Sequence, residues 1–348
     1  MPSMPSMPMA TLSSGGPAVS RIGLGLAALG RPAYITAGRE HDLPDRSVAA
    51  MRDRTFAVLD AAYAAGIRYV DAARSYGRAE EFLGGWLSRP GHADVVVGSK
   101  WGYRYTGDWR LDADRQEVKE HSLTMFRTQV AESRALLGDR IALYQVHSLT
   151  SDSPLLHDAP LLAALAELRD SGVIVGLTTS GPRQADALRW AFDVTVAGRP
   201  LFAAAQVTWN PLEPTVGSAA AEAAAAGWAI IIKEALANGR LAPGGEGPGR
   251  TGEGSGRAGD GPGGGDPDPA SARSPLARLA AERGVGEDAI ALAAALANPW
   301  ATVVLSGAVT PEQIRENIAA LTVGDLPPLD IAEPPEEYWN RRAARPWH

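Results

Sequence analysis

Eight short apolar runs, each nearly unbroken and each followed by a longer helix-like stretch, set the tightest limit on how this chain can fold. They are RIGLGLAAL (21–29), IRYVDAA (67–73), DVVVGSK (94–100), IALYQVHS (141–148), VIVGLTTS (173–180), AAAQVTWN (203–210), WAIIIKEAL (228–236) and ATVVLSGA (301–308). Runs that are apolar throughout, rather than at alternate positions, suit strands covered on both faces, as in a parallel sheet wrapped by helices. Helical spacing predicts helices over 53–65, 79–88, 117–137, 159–171, 184–194, 217–226, 274–297 and 311–321. In the first of these, Phe56, Leu59, Ala62 and Tyr63 share a face and Gly66 stops the helix. In the last, Thr310 is placed as N-cap with Pro311 at the first helical position.

Eight such alternations predict an α/β fold of the (β/α)8 TIM-barrel type, with a doubly wound sheet as the rival. The 348 residues accommodate one barrel domain, which typically needs about 250 plus insertions. Residues 1–19, rich in Pro, Ser and Gly, read as a disordered N-terminal tail. The barrel is expected over 20–325, and residues 326–348 as a C-terminal tail over its mouth. Residues 243–271 hold 12 of the 38 glycines. They read as a flexible insertion after the seventh strand, either a simple solvated loop or a lid. The net charge of −7 argues against a nucleic-acid surface. No apolar run approaches the roughly 18 residues of a membrane span, and the N-terminus lacks the pattern of a signal peptide. With no cysteine, thiolate metal sites and cysteine nucleophiles are excluded. The expectation is a cytoplasmic protein with no nucleic-acid or membrane partner.

Barrel active sites sit at the C-terminal ends of the strands, and polar residues gather there. Strand two ends in Asp71, with Tyr76 in the turn beyond; strand three ends in Lys100 and strand four in His147. Strand five ends in Thr178, Thr179 and Ser180. Strand six carries Gln206 and Asn210, and strand seven Lys233 and Glu234. Taken singly, Asp71 could cap a helix, Tyr76 could be a rim residue, Lys100 could extend its amine to solvent and His147 could be a core histidine. Together on adjacent strands they describe one site. A lysine ammonium beside a phenol favours the phenolate, so Tyr76 is expected to have a lowered pKa and to donate a proton near neutral pH. Asp71 would hold the lysine, and His147 would orient a carbonyl. No side chain supplies a hydride, so a nicotinamide would have to.

The segments YVDAARSYG, VVGSKWGY and LYQVHS resemble the three catalytic segments of the aldo-keto reductase superfamily, and the resemblance runs from about residue 20 to 322. It implies a tetrad of Asp71, Tyr76, Lys100 and His147, with Tyr76 as general acid/base. The implied activity is hydride transfer between NADP(H) or NAD(H) and a small aldehyde, ketone or alcohol. The alternative is a non-catalytic, cofactor-sensing binding subunit of the same fold. The resemblance assigns the nicotinamide carboxamide to Thr178, Thr179 and Gln206. It puts Lys233 where relatives usually place a stacking aromatic. In LSGAVTPEQIREN, it assigns the adenosine end to Ser306, Gly307, Gln313, Glu316 and Asn317. The family favours NADP, whereas this segment brings no cation but Arg315, so the two cofactors stand evenly balanced.

Trp101, Tyr103, Tyr105 and Trp109 follow strand three, and Trp101 and Tyr103 are expected to line an apolar or aromatic substrate pocket. The C-terminal tail, with Trp339, Arg341, Arg342, Arg345 and Trp347, would help to shape it. GLGLAALG misplaces the third glycine of a dinucleotide fingerprint and is followed by Pro32. No H-E-x-x-H or G-x-S-x-G is present, so no metal site and no serine hydrolase is expected.

Overall fold

The computed structural model describes residues 6–35, 39–150, 153–245 and 274–347. In chain order its strands are β1 (Met9–Thr11), β2 (Ala18–Ser20), β3 (Ile22–Gly25), β4 (Tyr69–Asp71), β5 (Val96–Trp101), β6 (Tyr103–Tyr105), β7 (Glu117–Lys119), β8 (Ile141–Leu149), β9 (Ile174–Thr179), β10 (Thr195–Val196), β11 (Arg199–Pro200), β12 (Ala204–Thr208), β13 (Ala229–Lys233) and β14 (Val303–Ser306). Strands β3, β4, β5, β8, β9, β12, β13 and β14 pair in parallel in that order. The sheet closes where Val304 lies opposite Ile22. That closure makes the fold a (β/α)8 barrel and excludes the open doubly wound sheet. Every residue of β12 and all but the last of β13 are buried, as unbroken apolar runs require.

The helices are α1 (Arg39–Asp42), α2 (Val48–Ala64), α3 (Ala79–Leu87), α4 (Leu123–Leu137), α5 (Ala159–Asp170), α6 (Gln184–Phe192), α7 (Gly217–Ala225), α8 (Pro275–Arg283), α9 (Glu287–Leu296), α10 (Pro311–Ile318) and α11 (Pro335–Ala343). Thr310 caps α10 as expected, its hydroxyl accepting from the Gln313 N–H at 3.2 Å. Two helical expectations need correction. The stretch 274–297 is two helices, because Gly284 takes the left-handed conformation at φ 65° and ends α8. The stretch 117–137 begins as strand β7, paired antiparallel with β6, and α4 starts only after the Ser122 cap. The β6–β7 pair sets Tyr103 opposite Lys119 and Glu117 opposite Tyr105, and Tyr103 and Glu117 both line the cavity.

The N-terminal segment is not a disordered tail from residue 6 onward; β1 and β2 form a hairpin beneath the barrel. Leu12 and Val19 are fully buried in one cluster with Tyr69, Leu143, Ile231 and Val303 from the barrel strands. The barrel floor is apolar and must be closed against water, and the hairpin does this. The Ser and Gly content that suggested disorder makes its turn, where Ser13 and Gly15 have positive φ. Helix α11 packs Tyr338 and Trp339 against the barrel wall. Most of the 243–271 insertion lies outside the described residues. Among the described residues no helix is long and apolar enough to cross a membrane.

Candidate active site

The alternation of side chains along β5 turns Lys100 into the barrel and Trp101 outward. The Lys100 ammonium, fully buried, donates to Asp71 Oδ1 and to the Ala72 carbonyl at 2.9 Å. The other carboxylate oxygen, Oδ2, accepts from Gln206 Nε2 at 3.0 Å, Gln145 Nε2 at 3.3 Å and Tyr69 Oη at 3.3 Å. Charge is tolerated here because pairing and hydrogen bonds surround it. The approach of Tyr69 demands glycine at 98, where a Cβ would come within 2.2 Å of the phenol oxygen.

The turn after β4 carries Tyr76 back over this pair. Its start is tied to β5 by Ala72 N–H to Gly98 O at 2.8 Å and Arg74 N–H to Lys100 O at 3.1 Å. Its end is tied to the turn after β3 by Arg78 N–H to Gly30 O at 2.7 Å. A Cβ at Gly30 would strike the Tyr76 carbonyl at 2.3 Å. Lys100 Nζ lies 4.7 Å from the centre of the Tyr76 ring, and the Arg31 guanidinium 5.1 Å from it. His147 meets the same ring edge to face at 5.6 Å, its Nδ1 3.4 Å from Ser75 Oγ. Next to it Ser148 takes φ 53°, and its N–H donates to Thr178 Oγ1 at 2.7 Å. His121 hydrogen-bonds the His147 carbonyl at 2.8 Å. The sequence-predicted Asp71, Tyr76, Lys100 and His147 are thus together at one end of the barrel.

The electrostatics depart from expectation in one respect. The Tyr76 phenol is pushed well above its ordinary pKa, not below it. Burial is the main cause, the Asp71 charge adds to it and Arg31 only partly offsets it. The physical reason is that the Lys100 charge is already matched by Asp71, so little of its field is left for the phenol. His147 is driven well below its usual value by burial and by Lys100, Arg31 and Lys233, which leaves a neutral imidazole. At the end of β13, burial lowers Lys233 to about 8. Burial alone would raise Glu234, but Arg342 and Lys233 overcome it and hold the carboxyl at about 2.

These groups open onto a cavity of about 890 Å³. Gln206, Lys233, Ser306, Gly307, Gln313, Glu316, Asn317 and Tyr103 line it as the sequence suggested. Three other expected residues do not. Trp101 packs outward against Phe126 on α4, with ring centres 5.0 Å apart. The Thr178 hydroxyl is engaged by Ser148, and the Thr179 hydroxyl donates to Gln184 at 3.3 Å. Ser180 reaches the cavity in their place. Lys233 donates to Thr208 Oγ1 at 2.5 Å and lies 3.7 Å from Glu234, which Arg342 of α11 grips at 2.8 and 2.5 Å. Ser148 also lines the cavity, as do Arg31, Tyr34, Asp42 and Glu117, which were not singled out in the sequence. Arg31 bonds Glu117 at 2.7 Å and stacks under Trp347 at 4.6 Å. Arg31, Tyr34, Asp42 and Glu117 sit in loops or on the short strand and helix that follow barrel strands, where no periodicity marks a cavity-facing side chain. No cluster of His, Asp or Glu suited to a metal is present among the described residues.

The cavity volume lies toward the upper part of the roughly 300–1,000 Å³ range of cofactor and ligand pockets. The sequence model of the Aldo/keto reductase family matches residues 21–334. An aldo-keto reductase from Strobilurus tenacellus is 33% identical over 210 residues, which is 59% of this chain and 53% of that protein. D-threo-aldose 1-dehydrogenase from a Pseudomonas species is 31% identical over 210 residues, 54% of this chain and 61% of that protein. The matched stretch therefore spans little more than half the length of these relatives. Among solved structures, an aldo-keto reductase from Bacillus halodurans in its holo form superposes with a TM-score of 0.63 at 19% identity, covering 97% of this chain and 96% of that one. The glycerol dehydrogenase from Gluconobacter oxydans gives 0.62 at 20%, covering 97% and 95%. At these identities the structures speak to the fold.

Proposed function

The chain belongs to the aldo/keto reductase family, and from that premise we propose that it is a nicotinamide-dependent oxidoreductase acting on a carbonyl or alcohol substrate, with Tyr76 as the proton donor and acceptor. The observation that carries this reading is the buried Lys100–Asp71 pair beneath the Tyr76 ring, with neutral His147 against its edge. A bound nicotinamide would supply the hydride that no side chain here can. Gln206 and Ser180 would hold its ring end, and Ser306, Gly307, Glu316 and Asn317 its adenosine end.

In reduction, the Tyr76 hydroxyl gives its proton to the substrate oxygen as that oxygen gains negative charge. The phenolate left behind faces Arg31, whose charge favours it once it forms. Before that moment burial keeps the phenol protonated, which suits a donor. His147, held neutral, orients the substrate oxygen by a hydrogen bond without competing for its proton. In oxidation the same groups act in reverse. Residues 20–325 would form the catalytic unit, with the C-terminal segment as one wall of its pocket.

The substrate end mixes rings with a charged pair: Tyr34, Tyr103 and Trp347 surround Arg31 and Glu117. That mixture fits a hydroxylated carbonyl compound better than a purely aromatic one. The name of the Pseudomonas relative, an aldose dehydrogenase, points the same way.

Tyr76→Phe tests the mechanism. Turnover should fall by about 10²–10⁴-fold, the usual span for a positioned acid–base group, while cofactor affinity measured by calorimetry stays within a few-fold. Undiminished turnover would remove Tyr76 from the mechanism.

A further inference from the structure

The geometry points to Asp42 as the residue that makes this chain select NAD(H) over NADP(H), an inference that rests on the nicotinamide-dependent function proposed above. Asp42 closes helix α1 and lines the cavity beside Ser306, Gly307, Gln313 and Glu316. It is held there by a relay. The Val309 N–H donates to Gln313 Oε1 at 2.8 Å, and Gln313 Nε2 donates to Asp42 Oδ2 at 2.7 Å. Gln313 thus spends its carbonyl and one amide proton on fixing a carboxylate at the cavity wall. Asn317 bonds Ser306 Oγ at 2.7 Å and completes that wall.

Among the described side chains, no Lys or Arg pairs with Asp42 or Glu316 on this wall. Arg315, the nearest in sequence, turns to the surface and pairs with Glu312 at 2.7 Å, its side chain 59% exposed. The described Lys and Arg side chains of the cavity have contacts with other groups. Arg31 lies by Tyr76, Lys233 and Arg342 by Glu234, and Arg345 3.4 Å from the Asn238 carbonyl.

A ribose 2′-hydroxyl has a proton to donate to a carboxylate. A 2′-phosphate has none, carries like charge and calls for arginine or lysine. Dinucleotide sites on unrelated sheets make the same choice with an acid or an arginine at the ribose. Here the acid is Asp42, and it lies 271 residues from the Gln313 that fixes it.

The test is calorimetric titration of the purified chain with NADH and with NADPH, for the wild type and for Asp42→Asn, with circular dichroism to confirm the fold. Asparagine keeps the shape and the acceptor for Gln313 but removes the charge. The wild type should bind NADH at least about tenfold more tightly than NADPH. Asp42→Asn should narrow that gap by about tenfold, mainly by tightening NADPH. Asp42→Ser, which also lacks the charge, should move the ratio the same way and serves if the first variant misfolds. Equal or tighter NADPH binding by the wild type overturns the proposal, as does an NADH-to-NADPH ratio that neither variant changes. Binding of neither dinucleotide overturns the functional reading itself, which separates the two failures.

Discussion

Two lysines stand at the C-terminal ends of barrel strands, each with a carboxylate, and they are built differently. Lys100 and Asp71 come from adjacent strands, β5 and β4, and everything that satisfies Asp71 belongs to the barrel wall: Tyr69, Gln145 and Gln206. Lys233 and Glu234 are chain neighbours at the end of β13, and the stronger partner of Glu234 is Arg342, from a helix more than a hundred residues further on. Glu234 accepts that partner with a left-handed backbone, φ 57°. The first pair is fixed by sheet register. The second is fixed by the docking of the C-terminal helix, so it should yield first when that helix loosens.

The largest effect is expected at the sheet-built pair. Asp71→Ala strands a buried ammonium and should cost about 3–5 kcal/mol in denaturant unfolding. A next, smaller effect is expected for Arg342→Met, about 1.5–3 kcal/mol, because Lys233 still faces Glu234 after the charged hydrogen bonds are lost. If the two substitutions cost the same, the contrast between the pairs fails. The smallest effect concerns pH. Lys233 is lowered to about 8 in the fold, against 10.5 when exposed. The unfolded chain therefore binds more protons between these values, and stability gains from this residue as pH rises from about 8 to 10.5. Lys233→Met should flatten that rise in urea midpoints measured across the window. An unchanged slope would show that Lys233 titrates as an ordinary exposed amine.

The sequence made the barrel legible because strands buried on both faces must be apolar throughout, and eight such runs leave few other folds. It made Asp71, Lys100 and His147 legible for a related reason: a charged or polar residue that closes an apolar run falls at the strand end, where barrels place their chemistry. Tyr76 followed from its distance beyond Asp71. Where the reading failed, direction was at issue. Thr178 and Thr179 close β9 as expected, yet the bulge that gives Ser148 its positive φ puts an N–H on one hydroxyl, and Gln184 takes the other. Trp101 follows Lys100 by one residue and so faces the helices. The lowered phenol pKa failed because it counted the Lys100 charge and not the burial around Tyr76.

The sequence by itself determined the eightfold strand–helix alternation and the residue types at the strand ends, because these depend on local pattern: which positions must be apolar, and where a run stops. Only the tertiary structure decided that the N-terminal segment plugs the barrel floor, that Arg342 reaches Glu234, that Arg31 lies between Tyr76 and Trp347, and that Gln313 fixes Asp42. Each of these is a contact between distant segments made through loops or chain ends. Their side chains point where backbone torsions and packing send them, and no residue spacing records that direction.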